Sequence, residues 1–68
     1  MKKDEFTKRE IEILNHLVLA ETNPEISKSL HISVSTVKMH CKSIFKKLNA
    51  KNRSDAMLQA IIHGVVSI

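Results

Sequence analysis

Apolar residues recur along most of this chain at intervals of three and four, the spacing that places them on one face of an α-helix. Four such segments are separated by short polar stretches, and none shows the strict alternation typical of a strand. Each segment follows a residue that favours helix starts: Thr7, Thr22, Ser33 and Asn52. The pattern therefore predicts an all-α domain with four helices, at about residues 7–20, 23–31, 34–49 and 53–63.

The length of 68 residues favours a single small domain, because a chain of this size buries only about 60% of its unfolded surface. We expect residues 6–68 to form that domain and residues 1–5 to be a frayed tail or a linker remnant. The lone Cys41 has no partner for an internal disulfide, which fits a reducing compartment. No apolar run reaches the roughly 18 residues needed to span a bilayer. These features predict a cytoplasmic protein that does not enter the membrane.

The third predicted helix has two chemically different faces. Its apolar positions form a narrow core stripe: Val37, Cys41, Ile44 and Leu48. Beside the stripe, Lys38, Lys42 and Lys46 follow one another at intervals of four, and we call them the basic ridge. Like charges at this spacing destabilise an isolated helix, but phosphate groups would neutralise them. Met39 within the ridge either meets thymine methyl groups in a major groove or is an ordinary exposed methionine.

Charge is unevenly distributed along the chain. Residues 1–30 carry a net charge of −1. Residues 31–68 carry six basic residues, all between positions 38 and 53, and one acidic residue, Asp55. Such clustering is typical of a surface that binds a polyanion, although a solvated helix face looks similar. The second and third predicted helices, one short and one longer with a tight turn between them, also have the arrangement of a helix-turn-helix. The sequence therefore predicts binding to double-stranded DNA, with the third helix in the major groove.

The chain resembles the LuxR-type (GerE/FixJ-like) helix-turn-helix domain over about residues 6–66, without a gap. The resemblance rests on residues 6–14, 23–27, 30–33, 36–40, 47–48, 53, 56 and 64–66. It implies a four-helix domain of a transcriptional regulator that binds DNA as a dimer, commonly behind the receiver domain of a response regulator or a sensor domain. Two positions depart from the family's usual pattern. Ala20 replaces the glycine that ends the first helix, and Pro24 stands where a polar residue is common.

The resemblance also implies which residues contact DNA. The residues expected to meet base edges are Lys38, Met39 and Lys42. The residues expected to contact phosphates are Asn23, Ser35, Thr36, Lys46 and Lys47.

Glu10 lies near the middle of the apolar arc of the first helix, which is unusual for a carboxylate. Two interpretations remain open from the sequence. The side chain returns to the backbone N–H of Thr7 in a capping box, or it forms a partly buried ion pair with Lys47 or Arg53.

The fourth predicted helix carries more apolar surface than one core contact requires. Its apolar side chains cover roughly 240° of its circumference, whereas a surface helix needs little more than 100°. Ala56 and Ala60 suit close approach to the rest of the domain. Met57, Leu58 and Ile61 are then left for a partner, which in a two-fold symmetric regulator is a second copy. The alternative is a wholly buried fourth helix.

Other functions are less well supported. The four histidines and Cys41 fit no zinc spacing, so we expect no metal site and no cofactor. No motif places a nucleophile beside a base, so we do not expect an enzyme. Two alternatives to a DNA-binding regulator remain. One is a promoter-recognition module like those of sigma factors, and the other is a basic helical adaptor that binds an acidic protein or a membrane surface.

Overall fold

A computed structural model describes residues 5–66, which form four α-helices and no strand. In chain order they are α1 (Lys8–Leu17), α2 (Asn23–Leu30), α3 (Val34–Leu48) and α4 (Arg53–Ile62). The predicted all-α, four-helix fold is confirmed. The predicted tail at residues 1–5 lies outside the described residues except for Glu5. None of the helices within residues 5–66 is long and apolar enough to cross a membrane.

The predicted helix starts are all confirmed. In each N-cap the side-chain oxygen accepts a hydrogen bond from the backbone N–H three residues later, and the caps are Thr7, Thr22, Ser33 and Asn52. At the first two of these caps the glutamate three residues on returns a bond to the cap's own N–H. The bond from the backbone of Thr22 lowers the pKa of Glu25. Local sequence thus determines where every helix begins.

The predicted end of the first helix at residue 20 is wrong, because α1 ends at Leu17. Ala20 has a left-handed backbone, with φ at 62°, and its N–H bonds to the carbonyl of Leu17 at 2.9 Å. The N–H of Glu21 bonds to the carbonyl of His16 at 3.3 Å. Bonds of this kind usually end a helix where a glycine adopts the left-handed conformation. The sequence offered no glycine here, and this conformation costs an L-residue about 1–2 kcal/mol.

The other three helices end one residue before the predicted positions, and a left-handed residue follows directly after α2 and α3 and after His63 at the end of α4. Those residues are His31, Asn49 and Gly64. Only α4 uses the glycine that this conformation favours. After Gly64 the chain turns back, and Val65 and Val66 are both buried, which the sequence analysis did not predict.

The core draws side chains from all four helices, and α3 contacts each of the other three. The predicted stripe of α3 is confirmed, since all four of its residues are buried. They pack with Ile13, Leu14 and Leu17 of α1, Ile26 of α2, and Ala56 and Ala60 of α4. Because α3 is held on three sides, its one remaining face is presented to solvent in a fixed orientation.

Candidate nucleic-acid interface

The turn between α2 and α3 is held by two reciprocal hydrogen bonds. The hydroxyl of Ser27 donates to the carbonyl of Ile32 at 2.6 Å, and the N–H of Ile32 donates to the carbonyl of Ser27 at 3.1 Å. His31 supplies the left-handed residue that reverses the chain, and Ser33 caps the new helix. The three-residue turn therefore fixes α3 relative to α2, as a helix-turn-helix requires.

The face of α3 opposite its core stripe is open to solvent. Met39 is 67% exposed, although it is a large apolar side chain. The polar residues that the sequence analysis placed on the same side are exposed as well, and they are Ser35, Lys38, Lys42 and Lys46. The predicted division of α3 into a buried stripe and an exposed basic ridge is confirmed.

No protein carboxylate neutralises the basic ridge among the residues that the structure describes. α3 contains no acidic residue, and no ion pair joins Lys38, Lys42 or Lys46 to a described carboxylate. Three cations along one helix face therefore repel one another in the free protein. An external polyanion relieves this repulsion, and the phosphates of a duplex supply negative charge at the required density.

Glu10 lies on the other side of α3, where it is only 3% exposed. Its Oε1 accepts bonds from the backbone N–H of Thr7 at 2.8 Å and from Nζ of Lys47 at 2.7 Å. Its Oε2 accepts a bond from the hydroxyl of Ser43 at 2.8 Å. Both interpretations of Glu10 are therefore correct together, and Lys47 rather than Arg53 is its ion-pair partner.

We call Thr7, Glu10, Ser43 and Lys47 the Glu10 cluster. Burial raises the pKa of Glu10, but the hydrogen bonds from Lys47, Thr7 and Ser43 and the charge of Lys47 outweigh it and lower the pKa to about 2. The ammonium of Lys47 also lies 5.6 Å from the centre of the Phe6 ring. Lys47 is thus neutralised within the protein, unlike the lysines of the basic ridge. Ser43 was missed by the sequence analysis, although it lies one turn before Lys47.

The predicted phosphate contacts at the start of α3 differ in their surroundings. Ser35 is exposed. Thr36 is half-buried, and its hydroxyl lies 2.9 Å from the hydroxyl of Ser33, so these two side chains are already bonded to each other. Ser35 therefore has the freer hydroxyl of the two predicted contacts.

Asn23, the remaining predicted phosphate contact, is the first residue of α2. Its Oδ1 accepts a hydrogen bond from Nη1 of Arg53 at 2.8 Å, and Nη2 of Arg53 bonds to the backbone carbonyl of Glu21. Arg53 thus joins the start of α4 to the turn between α1 and α2. This contact was not predicted from the sequence, where Arg53 was considered only as a partner for Glu10.

Three of the four exposed positions of α4 are large apolar residues. Leu58 is 54% exposed, Ile61 38% and Ile62 62%. The alternative of a wholly buried fourth helix is therefore wrong. Met57 is half-buried and packs against the core, so two of the three predicted interface residues are open to solvent. Ile62, which the prediction left out, lies one turn after Leu58 on the same side.

Metal or thiol chemistry finds no support in the described part of the chain. No three histidine, cysteine, aspartate or glutamate side chains within residues 5–66 are grouped to hold a metal ion. Cys41 is buried, and burial raises the pKa of its thiol despite the nearby charge of Arg53. Its surroundings are those of a small core residue.

The second helix of this helix-turn-helix presents a basic face that no described carboxylate neutralises. Such a face is typical of DNA-binding regulatory domains. Residues 4–60 match the bacterial regulatory proteins of the luxR family (GerE). The chain therefore belongs to the luxR family, whose members are DNA-binding transcription regulators.

Three relatives illustrate the match. The transcriptional regulatory protein YxjL of Bacillus subtilis is 43% identical over 61 residues, which is 90% of this chain and 28% of that protein. The CsgBAC operon transcriptional regulatory protein of Escherichia coli is 51% identical over 52 residues, or 76% of this chain and 24% of that protein. The response regulator protein VraR of Staphylococcus aureus is 37% identical over 61 residues, or 90% of this chain and 29% of that protein. The chain thus spans less than a third of the length of each.

Proposed function

We propose that this domain binds double-stranded DNA sequence-specifically, with α3 in the major groove. The observation that carries the proposal is the basic ridge, whose three lysines are exposed, unneutralised by described carboxylates and interrupted by an exposed methionine. Family membership favours this function over the sigma-factor-like module and the basic adaptor.

Within the ridge, Lys38, Met39 and Lys42 are the proposed base readers. A lysine donates to the O6 and N7 acceptors of guanine, and a thioether side chain packs against a thymine methyl group. One exposed turn of α3 thus offers both polar and apolar recognition. Such contacts distinguish base pairs in the major groove, where each pair has its own pattern.

Phosphate contacts position the helix without reading sequence. We assign this role to Asn23, Ser35, Thr36, Lys46 and Lys47. Lys46 is the stronger of the two cations, because it is exposed and forms no ion pair with a carboxylate within residues 5–66. Lys47 contributes less, because Glu10 already neutralises it.

The exposed apolar surface of α4 is the proposed dimer interface, formed by Leu58 and Ile61 with Met57 at its edge. A second copy that covers these side chains places two α3 helices on paired half-sites. The interface is small, so we expect monomers in solution and pairing on DNA. Since VraR is a response regulator, we further propose that residues 6–68 act as the DNA-binding domain behind a receiver domain.

Two steps test the proposal. Selection from random duplexes yields the bound sequence, and titration then compares duplexes carrying one or two half-sites. We expect Leu58→Glu to weaken binding to the paired site far more than to the single site, since only the former uses dimerisation. The matched control is Leu19→Glu, which adds the same charge at a leucine that is exposed outside α4. Circular dichroism checks that both variants fold.

Selection without any enriched sequence would contradict base reading by α3. Equal losses by Leu58→Glu on both duplexes, with folding intact, would show that α4 is not the dimer surface.

A further inference from the structure

Arg53 donates two hydrogen bonds to uncharged oxygens, and it also lies beside the buried thiol of Cys41. One acceptor is Oδ1 of Asn23, at 2.8 Å, and the other is the backbone carbonyl of Glu21. The Glu21 carboxylate bonds instead to Nδ1 of His16, at 2.9 Å. Within residues 5–66, no carboxylate forms an ion pair with the guanidinium, so no described carboxylate offsets its positive charge beside Asn23.

The chemistry of the guanidinium decides which way the Asn23 amide faces. An arginine has only donors, so the amide atom that meets it must be the oxygen. The –NH₂ group of Asn23 is then turned away from Arg53. No oxygen of the described residues accepts a bond from that –NH₂ group, and the side chain is only half-buried.

An amide held in this way presents two donors and no acceptor to an incoming group. That arrangement suits a phosphodiester oxygen, which accepts hydrogen bonds and donates none. The neighbouring guanidinium adds an attractive charge and polarises the amide further. An amide that turned freely would present its oxygen part of the time, and that oxygen repels a phosphate.

The geometry points to Arg53 as a positioning residue for a DNA backbone contact that Asn23 makes. Arg53 acts by fixing the amide of Asn23 with its donors outward. This inference rests on the proposed function, because it requires a duplex bound next to α2.

Asn23→Asp separates DNA contact from folding. An aspartate still accepts the bond from Arg53, and the added charge strengthens that bond, so the melting temperature stays the same or rises. The outward donors are replaced by a carboxylate oxygen, so we expect affinity for the selected duplex to fall about tenfold or more. Asn23→Ala serves as the uncharged comparison, and we expect it to lose less affinity for the duplex than Asn23→Asp.

Arg53→Gln tests the positioning role in a double-mutant cycle with Asn23→Ala. The matched control for lost charge is Lys51→Gln, which removes an exposed cation two residues away. We expect Arg53→Gln to weaken binding several-fold more than Lys51→Gln in the native background. In the Asn23→Ala background the two variants should cost about the same, since there is no amide left to position.

Each outcome decides the inference. Equal costs of Arg53→Gln in both backgrounds, or native affinity in Asn23→Asp, would overturn it. If Arg53→Gln does not fold, Arg53→Lys replaces it, because lysine keeps the positive charge but lacks the planar fork that binds Asn23 and the Glu21 carbonyl at once. The Asn23→Asp result stands by itself. Failure of the proposed function is distinguishable, because the native chain would then not bind the duplex.

Discussion

Lys46 and Lys47 are adjacent on α3, yet they belong to different regions of the molecule. Lys46 lies on the basic ridge, exposed and without an ion pair to any described carboxylate, whereas Lys47 lies in the Glu10 cluster, 2.7 Å from a buried oxygen. A rotation of 100° about the helix axis separates the two. The difference teaches that residue type alone does not assign function. A lysine serves mainly folding where α1 brings a carboxylate to it, as at Lys47, and its charge is fully available to DNA where α1 does not reach, as at Lys46.

The largest expected effect is on the free energy of unfolding, which should respond differently to substitutions on the buried and exposed faces of α3. Ile44→Ala leaves a cavity in the core and should lower the free energy of unfolding by about 2–5 kcal/mol. Lys42→Ala, on the exposed face two residues away, should change it by no more than about 0.5 kcal/mol. Urea unfolding followed by circular dichroism measures both. Similar losses in the two variants would mean that the faces of α3 have been assigned incorrectly.

The Glu10 cluster should make stability depend on pH. The folded pKa of Glu10, about 2, lies below the ordinary glutamate value of 4.5. The stabilisation by Glu10 is therefore fully present above about pH 4.5 and is lost as the pH falls toward 2. The shift corresponds to about 3 kcal/mol at neutral pH. The Glu10→Gln variant should lose most of this free energy of unfolding at pH 7. Its stability should also depend less on pH in the acid range.

Glu12→Gln is the matched control, because Glu12 is an exposed carboxylate on the same helix. Unfolding free energies at pH 7 and pH 3 provide the comparison. If Glu10→Gln and Glu12→Gln have the same acid dependence, Glu10 is not the group responsible.

Within the basic ridge, base readers should behave differently from phosphate contacts. Lys38→Ala or Lys42→Ala should cost about 1–3 kcal/mol of binding free energy and relax preference at one position of each half-site. Lys46→Ala should weaken binding to all sequences about equally. Titration against single-base variants of the selected duplex measures these effects. A changed base preference in Lys46→Ala alone would reverse the assignment.

The smallest expected effect concerns the left-handed residues Ala20 and Asn49, which follow α1 and α3. Ala20→Gly should raise the free energy of unfolding by about 0.5–1 kcal/mol, since glycine adopts a positive φ without steric cost. Asn49→Gly should gain less, because asparagine already tolerates this conformation. Thermal unfolding of both variants checks the order. Destabilisation by Ala20→Gly would mean that the methyl group of Ala20 makes a contact worth more than the strain.

Features set by a few adjacent residues could be predicted from the sequence. The four helix caps and the core stripe of α3 depend only on hydrogen-bonding side chains and on helical periodicity. The exposed ridge followed directly from that stripe, because a helix that buries one face presents the other.

Features that depend on distant parts of the chain could not be predicted. The partner of Glu10 depends on how close α1 lies to α3, so the choice between Lys47 and Arg53 stayed open. The contact from Arg53 to Asn23 spans 30 positions, and no local pattern indicates it. The end of α1 could not be predicted either, because Ala20 adopts a left-handed backbone that alanine does not prefer.

The salt dependence of DNA binding shows most directly whether the exposed face of α3 carries the contact with DNA. If each protomer neutralises about four phosphates, the logarithm of the binding constant should fall against the logarithm of salt concentration with a slope near −7 for a bound dimer. Lys46→Gln should reduce that slope by about 1–2, because each protomer loses one phosphate contact. Lys8→Gln, which removes an exposed lysine from α1, should leave it unchanged. A native slope shallower than about −2, or equal slopes for the Lys46→Gln variant and the native chain, would contradict the account.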